Sequence, residues 1–318
     1  KNWGIPKWIP IKVQYRMKKI SILILTASSF WGMAQERPET NEIADPTGPH
    51  TPVMKMSPIA TDRPDITESA FITPVGWFQY EGGYQYSHSE SLLTGGKIID
   101  IHQVEQVLRF GINRRFEVRS VINSNTERVY NPSPCVDTYR NTGVSPLTIG
   151  FKYNLLEESD RTPQTTWLSH VSLPQVAFGD YRAVTQANTV FHEQRLMLEK
   201  GITSKFGLAT NIGVSGALNG TSGYINEGMF SLAAGYDLGN DWGVYLEYFT
   251  NWELVQMQLF HTPFIDGGIT KLLSNDLQLD IYAGYDISEI TGTRNATTGF
   301  IAGAGISYRL PLAERLSR

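Results

Sequence analysis

The sequence predicts an all-β fold: a transmembrane antiparallel up-and-down β-barrel of about twelve strands, with a short N-terminal segment in its lumen. Apolar and polar residues alternate in about a dozen segments between Trp77 and Leu310, as in strands whose two faces meet different media. Tight polar connections alternate with longer ones, as in outer-membrane barrels. After the N-terminal region, no apolar run is long enough for a membrane helix. The strands themselves are therefore predicted to cross the bilayer.

The N-terminal region is predicted to direct export. Residues 17–34 combine a basic start, a short apolar stretch from Ile20 to Leu25 and small residues before Ala34, which is typical of a Sec signal peptide cleaved after Ala34. Residues 1–16 precede the first methionine, so we interpret them as an upstream extension. Loss of all 34 residues leaves 21 basic and 31 acidic residues and changes the net charge from −4 to −10. Such an acidic chain is not expected to bind nucleic acid.

Three further regions follow the predicted signal peptide. Residues 35–76 are rich in proline and polar residues, which is typical of an extended leader, and we place it in the periplasm or the lumen. Residues 77–310 form the predicted barrel, and residues 311–318 form a tail. The predicted strands span residues 77–88, 102–110, 114–123, 145–155, 166–174, 190–202, 205–216, 227–238, 241–252, 263–273, 277–287 and 298–310.

The connections and the last strand indicate the orientation of the barrel. The predicted tight turns follow strands two, six, eight and ten, whereas the connection over about 124–144 is the longest. Short turns face the periplasm in outer-membrane barrels, and an even strand number places both chain ends there. The last strand, ending at Leu310, resembles the signal read by the outer-membrane assembly machinery. The tight turns are Gly111-Ile112-Asn113, Thr203-Ser204, Gly239-Asn240 and Asn275-Asp276.

Aromatic residues near the strand ends favour outer-membrane lipid as the partner of the apolar face. Amphipathic rings are enriched where a membrane meets water. The alternative is a soluble barrel with an apolar interior, but such barrels need only about eight strands. The aromatic residues in question are Trp77, Tyr153, Trp167, Trp242, Tyr248 and Trp252.

Charged residues form a candidate constriction. They occupy the positions that alternate with the apolar residues of each strand (the polar parity) and are therefore predicted to face the lumen. Pairing strands two and three across the Gly111-Ile112-Asn113 turn predicts that Glu105 faces Arg119 and that Arg109 faces Arg115. One hypothesis is a charged ring that selects solutes. The alternative is a salt-bridge network that fills a narrow barrel or anchors the N-terminal segment. The candidate constriction residues are Glu81, Glu105, Arg109, Arg115, Glu117 and Arg119.

The segment before the first strand is a candidate plug or gate for the lumen. Its charged residues are Asp62, Arg63, Asp65 and Glu68, and its carboxylates are expected to pair with Arg115 or Arg119. The alternative is a capped turn that simply precedes strand one.

No catalytic, cofactor or metal site is predicted. His170 and Ser172 are the only inward Ser–His pair at close spacing, and no nucleophile motif surrounds them. Cys135 is the single cysteine, so a disulfide framework is excluded. The histidines lack the spacing of metal ligands.

Several segments together resemble a known family. Thr61-Asp62-Arg63-Pro64-Asp65 is followed by Thr67-Glu68-Ser69 and by the run from Pro74 to Glu81. The pattern resembles the meta-pathway phenol-degradation family of outer-membrane β-barrel transporters. The resemblance implies a passive channel for small solutes, among them aromatic or apolar compounds. A closed barrel acting through its extracellular loops is the alternative, and an outer-membrane hydrolase is a third. The resemblance continues in Gly111–Arg119, Gly150–Tyr153, Asp266–Gly268 and Leu277–Asp280.

Overall fold

The structure is a computed structural model that describes residues 57–91, 96–132, 135–180, 190–218, 227–255, 258–288 and 297–312. The predicted upstream extension, the signal peptide, residues 35–56 of the leader and residues 313–318 of the tail lie outside these ranges. In the described part of the chain, no helix is long and apolar enough to cross a membrane.

Fourteen β-strands occur among the described residues. They are β1 (Trp77–Ser91), β2 (Lys97–Asn113), β3 (Phe116–Pro132), β4 (Cys135–Val144), β5 (Leu147–Leu156), β6 (Gln164–Leu173), β7 (Phe178–Gly179), β8 (Phe191–Gly201), β9 (Phe206–Ala217), β10 (Glu227–Gly239), β11 (Trp242–Val255), β12 (Gln258–Ser274), β13 (Leu277–Asp286) and β14 (Thr297–Pro311).

Twelve of the described strands close into an antiparallel barrel, which confirms the predicted fold class. Each pairs with its neighbours in the order β1, β2, β3, β5, β6, β8 and then β9 to β14, and β14 pairs with β1. Closure leaves these strands without an unpaired edge, and lipid offers no partner for an unpaired backbone group. The turns after β2, β5, β8, β10 and β12 lie at one end, which we call the short-turn end.

The predicted long connection over residues 124–144 is wrong. β3 continues to Pro132, and β4 runs back along it from Cys135 to Val144. β4 and β5 are both antiparallel to β3, so they form one barrel strand that is interrupted at Ser145 and Pro146. Proline has no N–H to give to a ladder, which explains the interruption. The Ser145 N–H still donates to the Asn123 carbonyl at 2.9 Å, and β7 pairs with the end of β4.

The two faces of the barrel wall differ as the alternation predicts. On the outer face, Leu246 is 62% exposed and Ile281 is 57% exposed. On the inner face, Glu81 and Lys152 are fully buried. Because most buried side chains are polar or charged, the interior is not an ordinary apolar core. An apolar outer face and a polar interior are the arrangement of a membrane barrel.

This arrangement predicts a depth-dependent effect of charge on the outer face. Leu246→Arg, four residues beyond the start of β11 and so about 10 Å into the membrane at about 3.3 Å per residue, is expected to lower the free energy of unfolding in lipid vesicles by about 2–4 kcal/mol. Leu238→Arg, beside the β10–β11 turn and 54% exposed, is the matched control and should lower it by only about 0–1 kcal/mol. Urea titrations of the vesicle-embedded protein measure both. Equal losses of unfolding free energy for the two variants would contradict the placement of Leu246 inside the hydrocarbon and of Leu238 at its edge.

Candidate functional site

Residues 57–76, which we call the lumenal segment, run through the inside of the barrel. Ile59, Ala70 and Thr73 are almost fully buried there. The Ile59 N–H donates to the Asn275 carbonyl at 2.7 Å at the short-turn end. The N–H of Gly76, which has a φ of +75° that favours glycine, donates to the Gly111 carbonyl at 2.8 Å. The segment therefore enters and leaves the lumen beside the short turns.

Four glutamates of the wall hold the lumenal segment by its main chain. Each carboxylate projects inward from a different strand and accepts one or two backbone N–H groups. These charge-assisted bonds satisfy donors that would otherwise be buried without partners. Glu81 accepts from Asp62 (2.8 Å) and Arg63 (3.1 Å), Glu247 from Ile66 (2.8 Å) and Thr67 (2.7 Å), Glu199 from Ala70 (2.9 Å), and Glu117 from Thr73 (2.6 Å).

Asp62 is the centre of a buried charge cluster. One carboxylate oxygen pairs with the ammonium group of Lys152, and the other lies 2.9 Å from Arg119 and 3.2 Å from Arg109. Glu68 adds a second acidic group, 2.6 Å from Arg119 and 3.4 Å from Arg195. Asp62 and Glu68 of the lumenal segment therefore give Lys152, Arg119 and Arg195 acidic partners in addition to those on the wall.

The surroundings keep both of these carboxyl groups charged. Burial alone would raise the pKa of Asp62, but Arg109, Lys152 and Arg119 outweigh it and hold the pKa below its ordinary value. Burial is likewise outweighed at Glu68, where Arg119 and Arg195 lower the pKa. Asp65 differs, because burial and the neighbouring carboxylate of Glu247 raise its pKa.

Arg63 reaches a different part of the wall, on β13. Its guanidinium pairs with Asp280 at 3.2 Å and lies over the ring of Tyr282, 5.9 Å from the centroid. The Arg63–Pro64 peptide bond is cis. Gly83 and Gly305 face each other across β1 and β14, and a side chain at either position would collide with this guanidinium. These glycines therefore make room for Arg63.

The structure brings most of the predicted constriction residues together. Arg109 pairs with Glu81 at 2.7 Å and with Glu117 at 2.9 Å, and Arg119 joins them through Asp62. Glu105 lines the lumen but lies opposite Asn123 in the ladder instead of Arg119.

The placement of Arg115 in the constriction is wrong. Arg115 is exposed in the β2–β3 turn, because β2 continues through the predicted turn to Asn113 and has a bulge between Gly111 and Asn113. The register is therefore shifted, and Arg109 lies opposite Arg119. A bulge inserts a residue that strict alternation does not reveal.

Six charged wall residues that contact the lumenal segment were not among the candidate site residues of the sequence analysis. All six occupy positions that alternate with the apolar residues of their strands, so the alternation itself would have identified them as inward. These residues are Lys152, Arg195, Glu199, Glu247, Asp280 and Arg309.

Among the cavities lined by described residues, two lie on different sides of the lumenal segment. A cavity of about 610 Å³ near the short-turn end is lined by Thr61 and Asp65 together with the β10–β11 turn. A cavity of about 260 Å³ on the other side is lined by Ile66 and Glu68 together with Glu105 and Arg195. Arg63 and Asp65 border both.

One side of the lumen is aromatic, which the sequence analysis did not predict. The rings of Phe249 and Phe264 stack with centroids 5.0 Å apart, and Ile66 of the lumenal segment packs against this cluster. The charged cluster and the aromatic cluster therefore contact the lumenal segment from different sides. The cluster consists of Phe249, Tyr282 and Ile301 with Tyr245 and Phe264.

The Ser–His pair considered from the sequence does not form. The ring of His170 bonds to Glu193 at 3.0 Å, and the Ser172 hydroxyl bonds to Thr148 at 2.9 Å. Within the described ranges, no group of three or more His, Cys, Asp or Glu residues has a geometry that could hold a metal ion.

The fold of one solved structure agrees with this architecture. The COG4313 outer membrane channel from Pseudomonas putida F1 superposes with a TM-score of 0.59 at 13% identity, over 78% of this chain and 99% of that one. The translocator domain of the autotransporter NalP from Neisseria meningitidis gives a TM-score of 0.46 at 8% identity (75% and 90% coverage). The NanC porin gives 0.46 at 11% (73% and 100%).

None of the curated proteins matches this sequence. The model of one protein family, described as "Putative MetA-pathway of phenol degradation", matches residues 61–310. This range runs from the lumenal segment to the end of β14 and confirms the resemblance seen in the sequence. The chain belongs to that family.

Proposed function

We propose that the protein is a passive outer-membrane channel for small solutes and that its lumenal segment is the gate. The observation that supports this proposal is the position of the lumenal segment: it lies inside a polar lumen, between two cavities. Water can replace the contacts that keep it there. The similar barrel from Pseudomonas putida is named as a channel. We further propose that the Sec pathway exports the chain and that the outer-membrane assembly machinery inserts the barrel by recognising its last strand.

The geometry supports gating by displacement of the segment. Its main-chain N–H groups bond to carboxyl groups of the wall and its carboxylates bond to cations of the wall, and water can satisfy the same groups once the segment moves. A lumen of twelve strands is wider than one that side chains fill alone. Arg109, Arg119 and Lys152 would then form the charged constriction, together with Glu81 and Glu117.

The aromatic cluster supports a class of solute. Phe249 and Phe264 offer a flat apolar surface opposite the charged wall. Rings bind other rings in offset or edge-on contacts. The family description refers to phenol degradation, so we propose small aromatic compounds as solutes. We propose no enzymatic role.

A closed barrel that acts through the end opposite the short turns is the second candidate. The occupied lumen favours it, because a permanently docked segment would block passage. The two candidates differ in whether the segment leaves the lumen.

A reversible disulfide distinguishes them. The hydroxyl oxygens of Thr67 and Ser231 are 2.7 Å apart, which suits a disulfide between cysteines at these positions. In a Cys135→Ser background, T67C/S231C should show no conductance steps in planar bilayers when oxidised, and steps should return after reduction. T67C alone is the control and should conduct under both conditions. Equal conductance of the oxidised and reduced double variant would overturn the gating proposal.

A further inference from the structure

Two buried polar atoms of the wall have no hydrogen-bond partner among the described residues. They are Nε2 of His170 on β6 and Nε of Arg119 on β3. The two residues are only 6% and 5% exposed, and both line the cavity of about 260 Å³, which we call the small cavity. A buried polar atom without a partner is unfavourable, so a ligand that bonds to both atoms would be stabilised there.

The strand ladders place these two side chains on either side of one glycine. Arg119 lies opposite Gly150 of β5, and Gly150 lies opposite His170. A side chain at position 150 would collide with Cδ2 of the His170 ring, so that edge of the ring lies over β5, on the side of Arg119. Neighbouring strands are about 4.8 Å apart. The two side chains therefore start about 10 Å apart and line the same cavity.

The existing contacts define what each of the two atoms can do. Nδ1 of His170 lies 3.0 Å from a carboxylate oxygen of Glu193, which also pairs with Arg195. A carboxylate only accepts, so Nδ1 carries the proton, and Nε2 of a neutral imidazole is then an acceptor. Nε of Arg119 bears one N–H and only donates. The two atoms are therefore an acceptor and a donor that lie at one cavity.

A hydroxyl group matches this pair of atoms. It donates one hydrogen bond and accepts others, so a single hydroxyl oxygen can satisfy both atoms. An ether oxygen only accepts, and a hydrocarbon does neither. A carboxylate is disfavoured, because Asp62, Glu68 and Glu193 also line the small cavity and like charges repel.

The remaining lining suits the apolar body of a small solute. Ile66, Val107 and Val121 line the small cavity as well, and Ile66 also packs against the aromatic cluster. Pockets for drug-sized ligands have volumes of about 300–1,000 Å³. The small cavity is below that range, so it fits a solute with a single ring.

We propose that the small cavity is a binding subsite for phenols, whose hydroxyl group donates to Nε2 of His170 and accepts from Nε of Arg119. The ring lies against Ile66, Val107 and Val121. This inference rests on the proposed passage of small aromatic compounds and adds a preference for hydroxylated rings over plain hydrocarbons. His170 and Arg119 are then the residues that determine this specificity.

The first test compares three probes of similar size on the full-length protein in detergent. Isothermal titration calorimetry at mildly alkaline pH, where an ordinary imidazole is neutral, should show phenol binding about tenfold or more tightly than anisole and toluene. Anisole cannot donate to His170, and toluene cannot bond to either atom, so both leave buried groups without partners. Titration of each probe into protein-free detergent gives the background heat.

The second test removes the acceptor. His170→Phe keeps a ring at this position but has no Nε2, so phenol should lose its advantage over anisole. His102→Phe is the matched control, because His102 is exposed on the outer face of β2 and bonds to Tyr84. H102F should keep the same preference for phenol as the unchanged protein.

Two results would overturn the proposal. One is equal affinity for phenol and anisole, which would mean that the two atoms bind water only. The other is an undiminished preference for phenol in H170F. The probe comparison needs no variant, so it remains decisive if H170F does not fold. Binding at equilibrium needs no passage, so a barrel without conductance would contradict the channel proposal and leave this test intact.

Discussion

Removing residues 35–73 is expected to raise the single-channel conductance of the barrel several-fold in planar bilayers. The deletion takes away the part of the lumenal segment that lies between the two cavities, and water would fill its place. The closed ladder of twelve strands does not pass through this segment, so the barrel should still fold. A heat-dependent shift in gel mobility checks that it does.

The matched control for this deletion is removal of residues 35–56 alone. That variant keeps every described contact of the lumenal segment, so its conductance should equal that of the unchanged protein. If deletion of residues 35–73 also leaves the conductance unchanged, the segment is not the barrier to passage, and the plug proposal fails.

Asp62→Asn is expected to destabilise the folded protein strongly. The carboxylate pairs with Lys152, Arg119 and Arg109, all almost fully buried. Removing one partner of a buried ion pair leaves an uncompensated charge and costs about 3–5 kcal/mol. Urea unfolding in lipid vesicles measures this loss. D62N/K152M should recover part of it, because the cation with the shortest contact to Asp62 is removed as well.

Asp276→Asn is the control for Asp62→Asn. Asp276 pairs with Arg309 at 2.7 Å, but its side chain is 42% exposed. An ion pair in contact with water contributes about 0–1 kcal/mol. Equal losses for D62N and D276N would show that the buried cluster contributes no more than a surface pair and does not hold the segment in place.

The candidate site was predictable only in part. Alternation along β2 and β3 correctly identifies Arg109, Glu117 and Arg119 as inward, because successive side chains of a strand point to opposite faces. The prediction for Arg115 fails because β2 continues to Asn113, so the turn lies at residues 114–115. Glu117 and Arg119, beyond the turn, keep their predicted face, but Arg109 and Glu105 each meet a partner four positions beyond the predicted one.

The partners of the lumenal segment needed the tertiary structure. The alternation along each strand predicts that Glu247 and Glu199 point inward. It does not predict which inward residue contacts which part of the lumenal segment. The bonds from Thr67 to Glu247 and from Ala70 to Glu199 join residues more than a hundred positions apart. Their proximity depends on the closure and register of the whole barrel.

The sequence by itself determined the kind of fold and the medium on each side of its wall. Alternation is a local property of each strand, and burial of one face in lipid follows from it directly. Only the tertiary structure decided the path of residues 57–76 through the lumen and which wall residues they meet. That path depends on strands that are distant in sequence, and its free energy depends on all the neighbours that closure brings together.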